Sequence, residues 1–215
     1  MRRVTCCVCH SVPHGRETPG PHFHGKIAGN GGFRAVQELG NPIIAAYLQC
    51  LLLTGARREE MATLKWENVD FRWGRLTIRD KVEGRRTIPL TPYAAHLLSS
   101  LPRKGAWVFS SPAAKSGRLA DPRFAHDRAL LSAEIDGMTL HGLRRSFGTL
   151  SEWVECPAGV AAQIMGHKPS ATAEKHYRVR PIDLLRIWHE KIEAWVLTEA
   201  GVIFTPDSRG VHLVA

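Results

Sequence analysis

The sequence predicts an α+β fold, mainly α-helical, with one small three-stranded antiparallel sheet. Apolar residues recur at helical spacing in several separate stretches, at Ile43 to Leu52, Tyr93 to Leu101, Ala158 to Met165 and Leu185 to Trp195. Between Val69 and Leu90 the period shortens to that of strands, and glycine turns divide the stretch into three. The chain has 215 residues, 44% of them hydrophobic, enough for one catalytic-sized domain with ends on either side.

The first regular element begins at Asn41. Pro42 suits a first helical turn, and Ile43, Ile44, Tyr47, Leu48, Leu51 and Leu52 follow until Thr54-Gly55 stops a buried helix. A second short helix spans Arg57 to Leu64, with Arg57 and Glu60 on one face, where a carboxylate can orient a guanidinium. The three strands are centred on Val69 to Phe71, Leu76 to Ile78 and Thr87 to Leu90, with turns at Trp73-Gly74 and Glu83-Gly84. Lys81 falls where the second strand enters the second turn, within reach of a ligand lying across the sheet. Thr91-Pro92 opens the next helix with a capping residue ahead of a proline, and Pro102 ends it. Helices are expected at Arg123 to Ile135, after Thr139, and over Ala158 to Met165. A terminal amphipathic helix spans Pro181 to Val196, with Leu185, Trp188, Ile192 and Trp195 on its apolar stripe.

The ends read differently. Residues 1–40 are expected to form a poorly structured leader, 41–197 the domain, and 198–215 a loose tail. In the leader, Cys6, Cys9, His22 and His24 could be arranged as four zinc ligands, but the spacing departs from zinc fingers and no apolar framework surrounds it. A flexible leader without metal is the expectation. Five cysteines, three of them crowded at Cys6, Cys7 and Cys9, do not resemble a disulfide framework. With no apolar run near the roughly 20 residues that span a bilayer and no secretory block at the start, the protein reads as cytoplasmic, without a membrane partner.

Charge narrows the function. A net charge of +9 on a folded chain favours a polyanionic partner. Arginines, histidines and one late tyrosine then supply what attack on a phosphodiester needs: a nucleophilic phenol and cations to neutralise growing charge. Tyr47 and Tyr93 lie inside apolar helical stripes, and Tyr177 is the late tyrosine.

The order of motifs carries the strongest signal. Thr54-Gly-Ala-Arg57-Arg-Glu-Glu60, then Lys81 through Arg86-Thr-Ile-Pro89-Leu90, then His141-Gly-Leu-Arg144-Arg-Ser-Phe-Gly-Thr149, then Gly166-His167, and finally Tyr177 stand in sequence. In that order they resemble the catalytic domain of the tyrosine recombinase (phage integrase) family over roughly residues 41–197. Each box alone is short; their ordered coincidence makes the resemblance specific. It implies the catalytic-domain fold of that family, with Arg57, Lys81, His141, Arg144, His167 and Tyr177 catalytic and Glu60 supporting Arg57. Tyr177 lies ten residues after His167, one more than is commonest in the family, with His176 beside it.

The chemistry follows from the residue types. Arg57 and Arg144 would bind the non-bridging oxygens of a phosphate as planar forks and cancel charge in the transition state. His141 is the candidate base for the Tyr177 phenol, Lys81 the candidate acid for the departing sugar oxygen, and His167 a hydrogen-bond partner of the phosphate. The resemblance implies a covalent 3′-phosphotyrosine and a free 5′-hydroxyl, so that a strand can rejoin with neither cofactor nor metal. Arg58, Arg85, Arg86, Arg145, Lys168, Lys175 and Arg178 flank these residues as candidate DNA contacts.

Family members usually carry a helical DNA-gripping domain ahead of the catalytic one, and only some forty residues of weak composition stand there in this sequence. The chain therefore reads as a truncated integrase with impaired activity. A non-catalytic DNA-binding remnant, a type IB topoisomerase and a small zinc adaptor are the competing readings. The terminal stripe would either join protomers on DNA or cover the chain's own core.

Overall fold

The computed structural model describes residues 30–80, 84–167 and 179–206. Its elements run α1 (Asn30–Gln37), α2 (Pro42–Thr54), α3 (Arg58–Ala62), a 3-10 turn (Trp66–Asn68), β1 (Val69–Asp70), β2 (Arg75–Asp80) and β3 (Gly84–Pro89). After the sheet come α4 (Pro92–Ser99), α5 (Arg123–Ser132), α6 (Leu140–Trp153), α7 (Ala158–Met165) and α8 (Ile182–Glu199). The mainly helical class and the antiparallel sheet match expectation. None of the described helices is long and apolar enough to cross a membrane.

Helix α2 is the hub. Asn41 caps it, its Oδ1 accepting from the backbone N–H groups of Ile43 (3.0 Å) and Ile44 (3.3 Å). Ala45 through Thr54 are all buried, because α1, α3, α4, α6 and α8 each pack against this one helix. Gly55 ends it in the left-handed conformation at φ 59°. A side chain there would collide with its neighbours, since a Cβ would stand 2.6 Å from Phe147 Cδ1. Phe147 is itself fully buried on α6.

The sheet has the order β1-β2-β3, with Leu76 opposite Ile88 and Ile78 opposite Arg86. Period-two alternation buries Leu76, Ile78, Ile88 and Arg86 while Arg85 and Thr87 face solvent. Helix α8 lies against β3, which makes the last helix part of this chain's own core.

Three local expectations change. Residues 30–37, assigned to the leader, form α1, and Phe33 is buried in the core. Phe33 and Val36 stand at i, i+3, a pattern too short after Asn30, Gly31 and Gly32 to mark a helix in the sequence. Thr91 does not cap α4 with its side chain; its hydroxyl donates to Glu193 of α8, whose carboxylate also accepts from the backbone N–H groups of Tyr93 (2.8 Å) and Ala94 (3.1 Å). A carboxylate a hundred residues away therefore satisfies the helix start. Residues 198–204, assigned to a loose tail, are ordered against the core: α8 continues to Glu199 and Phe204 packs edge-on to Tyr93 at 5.2 Å. Leu185, Ile192 and Val196 of α8 are buried within this chain, with Trp188 and Trp195 half-buried beside them, so the terminal stripe covers the chain's own core.

Candidate active site

Helix α7 ends with a glycine in the left-handed region, Gly166, at φ 70° and ψ 46°. The His167 N–H bonds back to the Ala162 carbonyl (2.9 Å) and the Gly166 N–H to that of Gln163 (3.2 Å), a Schellman closure that fixes His167 at the helix tip. The short Gly166-His167 motif thus has a local cause: only the glycine lets the chain turn sharply enough.

The closure leaves carbonyls at the negative end of the helix, and three arginines from three different elements answer them in succession. Arg86 Nε, from β3, donates to the Ile164 carbonyl (3.2 Å). Arg144 Nη1, from α6, donates to the Met165 carbonyl (2.7 Å), and Arg57 Nη2, from the start of α3, to that of Gly166 (3.2 Å). Arg144 also reaches back to the Gly55 carbonyl at 2.6 Å.

Glu60 binds this cluster from the opposite side. Its Oε1 accepts from Arg57 Nη1 (2.6 Å), and its Oε2 from the Arg57 backbone N–H (2.9 Å) and from Arg86 Nη2 (2.9 Å). The carboxylate is buried, the Arg86 guanidinium is buried against it, and the Arg57 side chain keeps 38% of its surface exposed. Burial alone would raise the Glu60 carboxyl; the hydrogen bonds from Arg86 and Arg57 outweigh it and hold the group below its usual range.

His141, Arg144 and His167 line one hollow of about 390 Å³ between α6 and α7, with Arg145 and Thr149 at its side. His167 is exposed at the rim. Partial burial, then the charges of Arg144, Arg57 and Arg86, depress its imidazole below the ordinary value. His141 is exposed in the first turn of α6, whose start Thr139 caps as expected.

The sequence-derived residues therefore divide. Arg57, Glu60, His141, Arg144 and His167 come together around the tip of α7. Arg58, Arg85 and Arg145 lie on the surface, and Arg58 is engaged with Glu59 at 3.0 Å. Arg86, expected among the outer DNA contacts, is instead an inner member of the cluster. The signal for this was its phase with Ile88 on the buried face of β3. Tyr177, Lys81, Lys168, Lys175 and Arg178 lie outside the described residues, as do Cys6, Cys7, Cys9, His22 and His24.

The other two tyrosines have structural work. Tyr47 is fully buried and donates to the Arg58 carbonyl (2.9 Å), and burial pushes its phenol far above the usual value. Tyr93 is buried too, donating to Gln49 (2.8 Å) and accepting from Gln37 (3.0 Å), and burial again raises its phenol. Cys50 and Cys156 are free and buried, in keeping with reduced thiols.

Residues 40–180 match the model of the phage integrase family, and the chain belongs to that family of tyrosine recombinases, to whose catalytic domain the matched region corresponds. It is 62% identical over 177 residues to prophage integrase IntF of Escherichia coli (strain K12), an alignment that covers 79% of this chain and 38% of that protein. Among solved structures, the integrase of mycobacterium phage Brujita superposes with a TM-score of 0.65 at 20% identity, over 83% of this chain and 59% of that one. The XerH site-specific recombinase bound to difH substrate gives 0.55 at 18% identity, over 76% and 51%. XerA recombinase gives 0.53 at 16% identity, over 86% and 66%. These three establish the fold.

Proposed function

We propose that the chain cleaves and rejoins double-stranded DNA at specific sites through a covalent 3′-phosphotyrosine on Tyr177. The observation that carries this reading is the convergence of Arg57, Arg144 and His167 on the tip of α7, with His141 opening into the same hollow as Arg144 and His167. A phosphodiester set over that tip meets two guanidinium forks and an imidazole, all placed to receive charge on its non-bridging oxygens.

The reaction is an exchange of ester bonds. The Tyr177 oxygen attacks phosphorus and the bond to the 5′ oxygen breaks; His141 takes the phenolic proton and Lys81 gives one to the leaving sugar oxygen. Arg57 and Arg144 carry the negative charge that builds on the non-bridging oxygens, held in orientation by Glu60 and by the carbonyls of Gly55, Met165 and Gly166. Reversal by a 5′-hydroxyl of another strand rejoins the DNA. Two buried, hydrogen-bonded phenols at Tyr47 and Tyr93 support Tyr177 as the nucleophile. The surface arginines Arg58, Arg85 and Arg145 fit contacts with flanking phosphates. The XerH relative is bound to its difH DNA, which supports DNA as the substrate class.

A pool of nicked duplexes with a randomised centre tests the proposal, because cleavage beside the nick releases a short fragment and traps the enzyme on DNA. A protein-DNA adduct that survives denaturation is expected, and loss of it in Tyr177→Phe. Salt-sensitive binding with no adduct on any member of the pool would mark a binding protein without catalysis.

A further inference from the structure

We infer that Arg86 is a positioning residue of this site, the brace that fixes Arg57 and His167 relative to each other, and not one of the DNA contacts. The inference rests on the recombinase reading above. Three features lead to it. First, strand register places Arg86 opposite Ile78 and in phase with Ile88, so its side chain enters the core face of the sheet and is 7% exposed. A backbone phosphate of DNA cannot approach a guanidinium held there without dismantling the sheet.

Second, the fork bridges the Glu60 helix α3 and the tip of α7. Nη2 binds Glu60, the carboxylate that also holds the Arg57 guanidinium and backbone, while Nε binds the Ile164 carbonyl, three residues before His167. A displacement of Arg86 is therefore transmitted to Arg57 through one shared carboxylate and to His167 through the helix tip. Third, the bond directions of a planar fork are fixed, so the two bridges set an angle as well as a distance. Lysine, a point charge on a flexible stem, can satisfy Glu60 or Ile164 but not both in that geometry.

The test compares wild-type protein with Arg86→Gln and Arg86→Lys in three measurements: DNA affinity, single-turnover cleavage at saturating DNA, and the titration of the His167 imidazole by NMR without DNA. Cleavage at saturation is expected to fall about 10²-fold in both variants, the usual scale of a small misplacement of reacting groups. Affinity should stay within about twofold, since no phosphate contact has been removed. The His167 midpoint should rise in Arg86→Gln, which removes a neighbouring cation, and stay near wild type in Arg86→Lys, which keeps one.

Unchanged cleavage at saturation overturns the inference. So does lost affinity with cleavage retained at saturation, the signature of a phosphate contact, and so does unfolding of both variants, which assigns Arg86 to stability alone. If wild-type protein forms no adduct, the recombinase reading fails; the His167 titration still reports whether Arg86 is coupled to the helix tip.

Discussion

Arg144 Nη1 donates to the Gly55 carbonyl at 2.6 Å and to the Met165 carbonyl at 2.7 Å, so one guanidinium joins the ends of two helices. The ends of α2 and α7 carry outward carbonyls and the negative pole of each helix, and a cation between them is favoured by both. The same contacts hold the fork in the plane from which it faces the hollow. Replacing Arg144 by lysine keeps the charge and loses the fork. Cleavage in Arg144→Lys is expected to drop by about 10²–10³-fold at saturating DNA, the scale of losing one well-placed charge donor. A variant that cleaves at the wild-type rate would remove Arg144 from the mechanism.

Gly55 is the other half of that relationship. Alanine at φ 59° is strained, and its Cβ would press into Phe147 and toward Met165 Cγ, which would lie 3.1 Å away. Gly55→Ala is expected to lower unfolding free energy by about 1–3 kcal/mol, combining backbone strain with overpacking. Urea denaturation with an unchanged slope and a lower midpoint is the expected record.

Glu60 sits between two guanidiniums, and Glu60→Gln would leave them facing each other without a countercharge. A loss of about 2–3 kcal/mol is expected, less than the ~3–5 typical of a fully buried pair, because Arg57 remains partly in solvent. The pH dependence has a definite sign. Since the folded carboxyl lies below its unfolded value, its stabilisation is complete above the ordinary carboxylate range and fades as pH falls through the folded value. Denaturation series between pH 3 and 7 on wild type and Glu60→Gln should converge at the acid end.

His189 gives a second pH signature. It is fully buried on α8, with Nε2 donating to the Leu53 carbonyl (2.9 Å) and the Phe147 ring edge-on at 5.9 Å. Burial drives its value from 6.5 down to about 4, so the unfolded chain takes up a proton that the folded chain resists. Stability is therefore full above about pH 6.5 and falls as pH drops toward 4, by roughly 3 kcal/mol at about 1.4 kcal/mol per unit. His126 and His167 are also depressed by burial and slope the same way. The measurement is thus a difference, and His189→Gln should flatten the curve between pH 6.5 and 4 relative to wild type.

The cluster at the tip of α7 was legible in the sequence because it consists of short boxes with local causes. Thr139 before His141, and Gly166 before His167, place their functional neighbours within one turn of a cap. Asn41, Pro42 and Gly55 likewise delimit α2 by local chemistry. What escaped is long-range. Glu193 gave no hint that it would cap α4 from another helix, and Phe33 had too few apolar companions to announce α1. Arg86 is intermediate: its phase with Ile88 was present in the sequence, but a basic pair at positions 85 and 86 reads as surface unless the strand's two faces are separated.

Esterification of Tyr177 to DNA, served by Arg57 and Arg144, is decided by mass spectrometry of the trapped adduct after nuclease and protease digestion. A nucleotide joined through its 3′ phosphate is expected on the peptide containing Tyr177 and on no other, and is lost in Tyr177→Phe. A nucleotide found on Tyr47, Tyr93 or a non-tyrosine residue, or cleaved DNA with no protein attached to the 3′ phosphate, would contradict it.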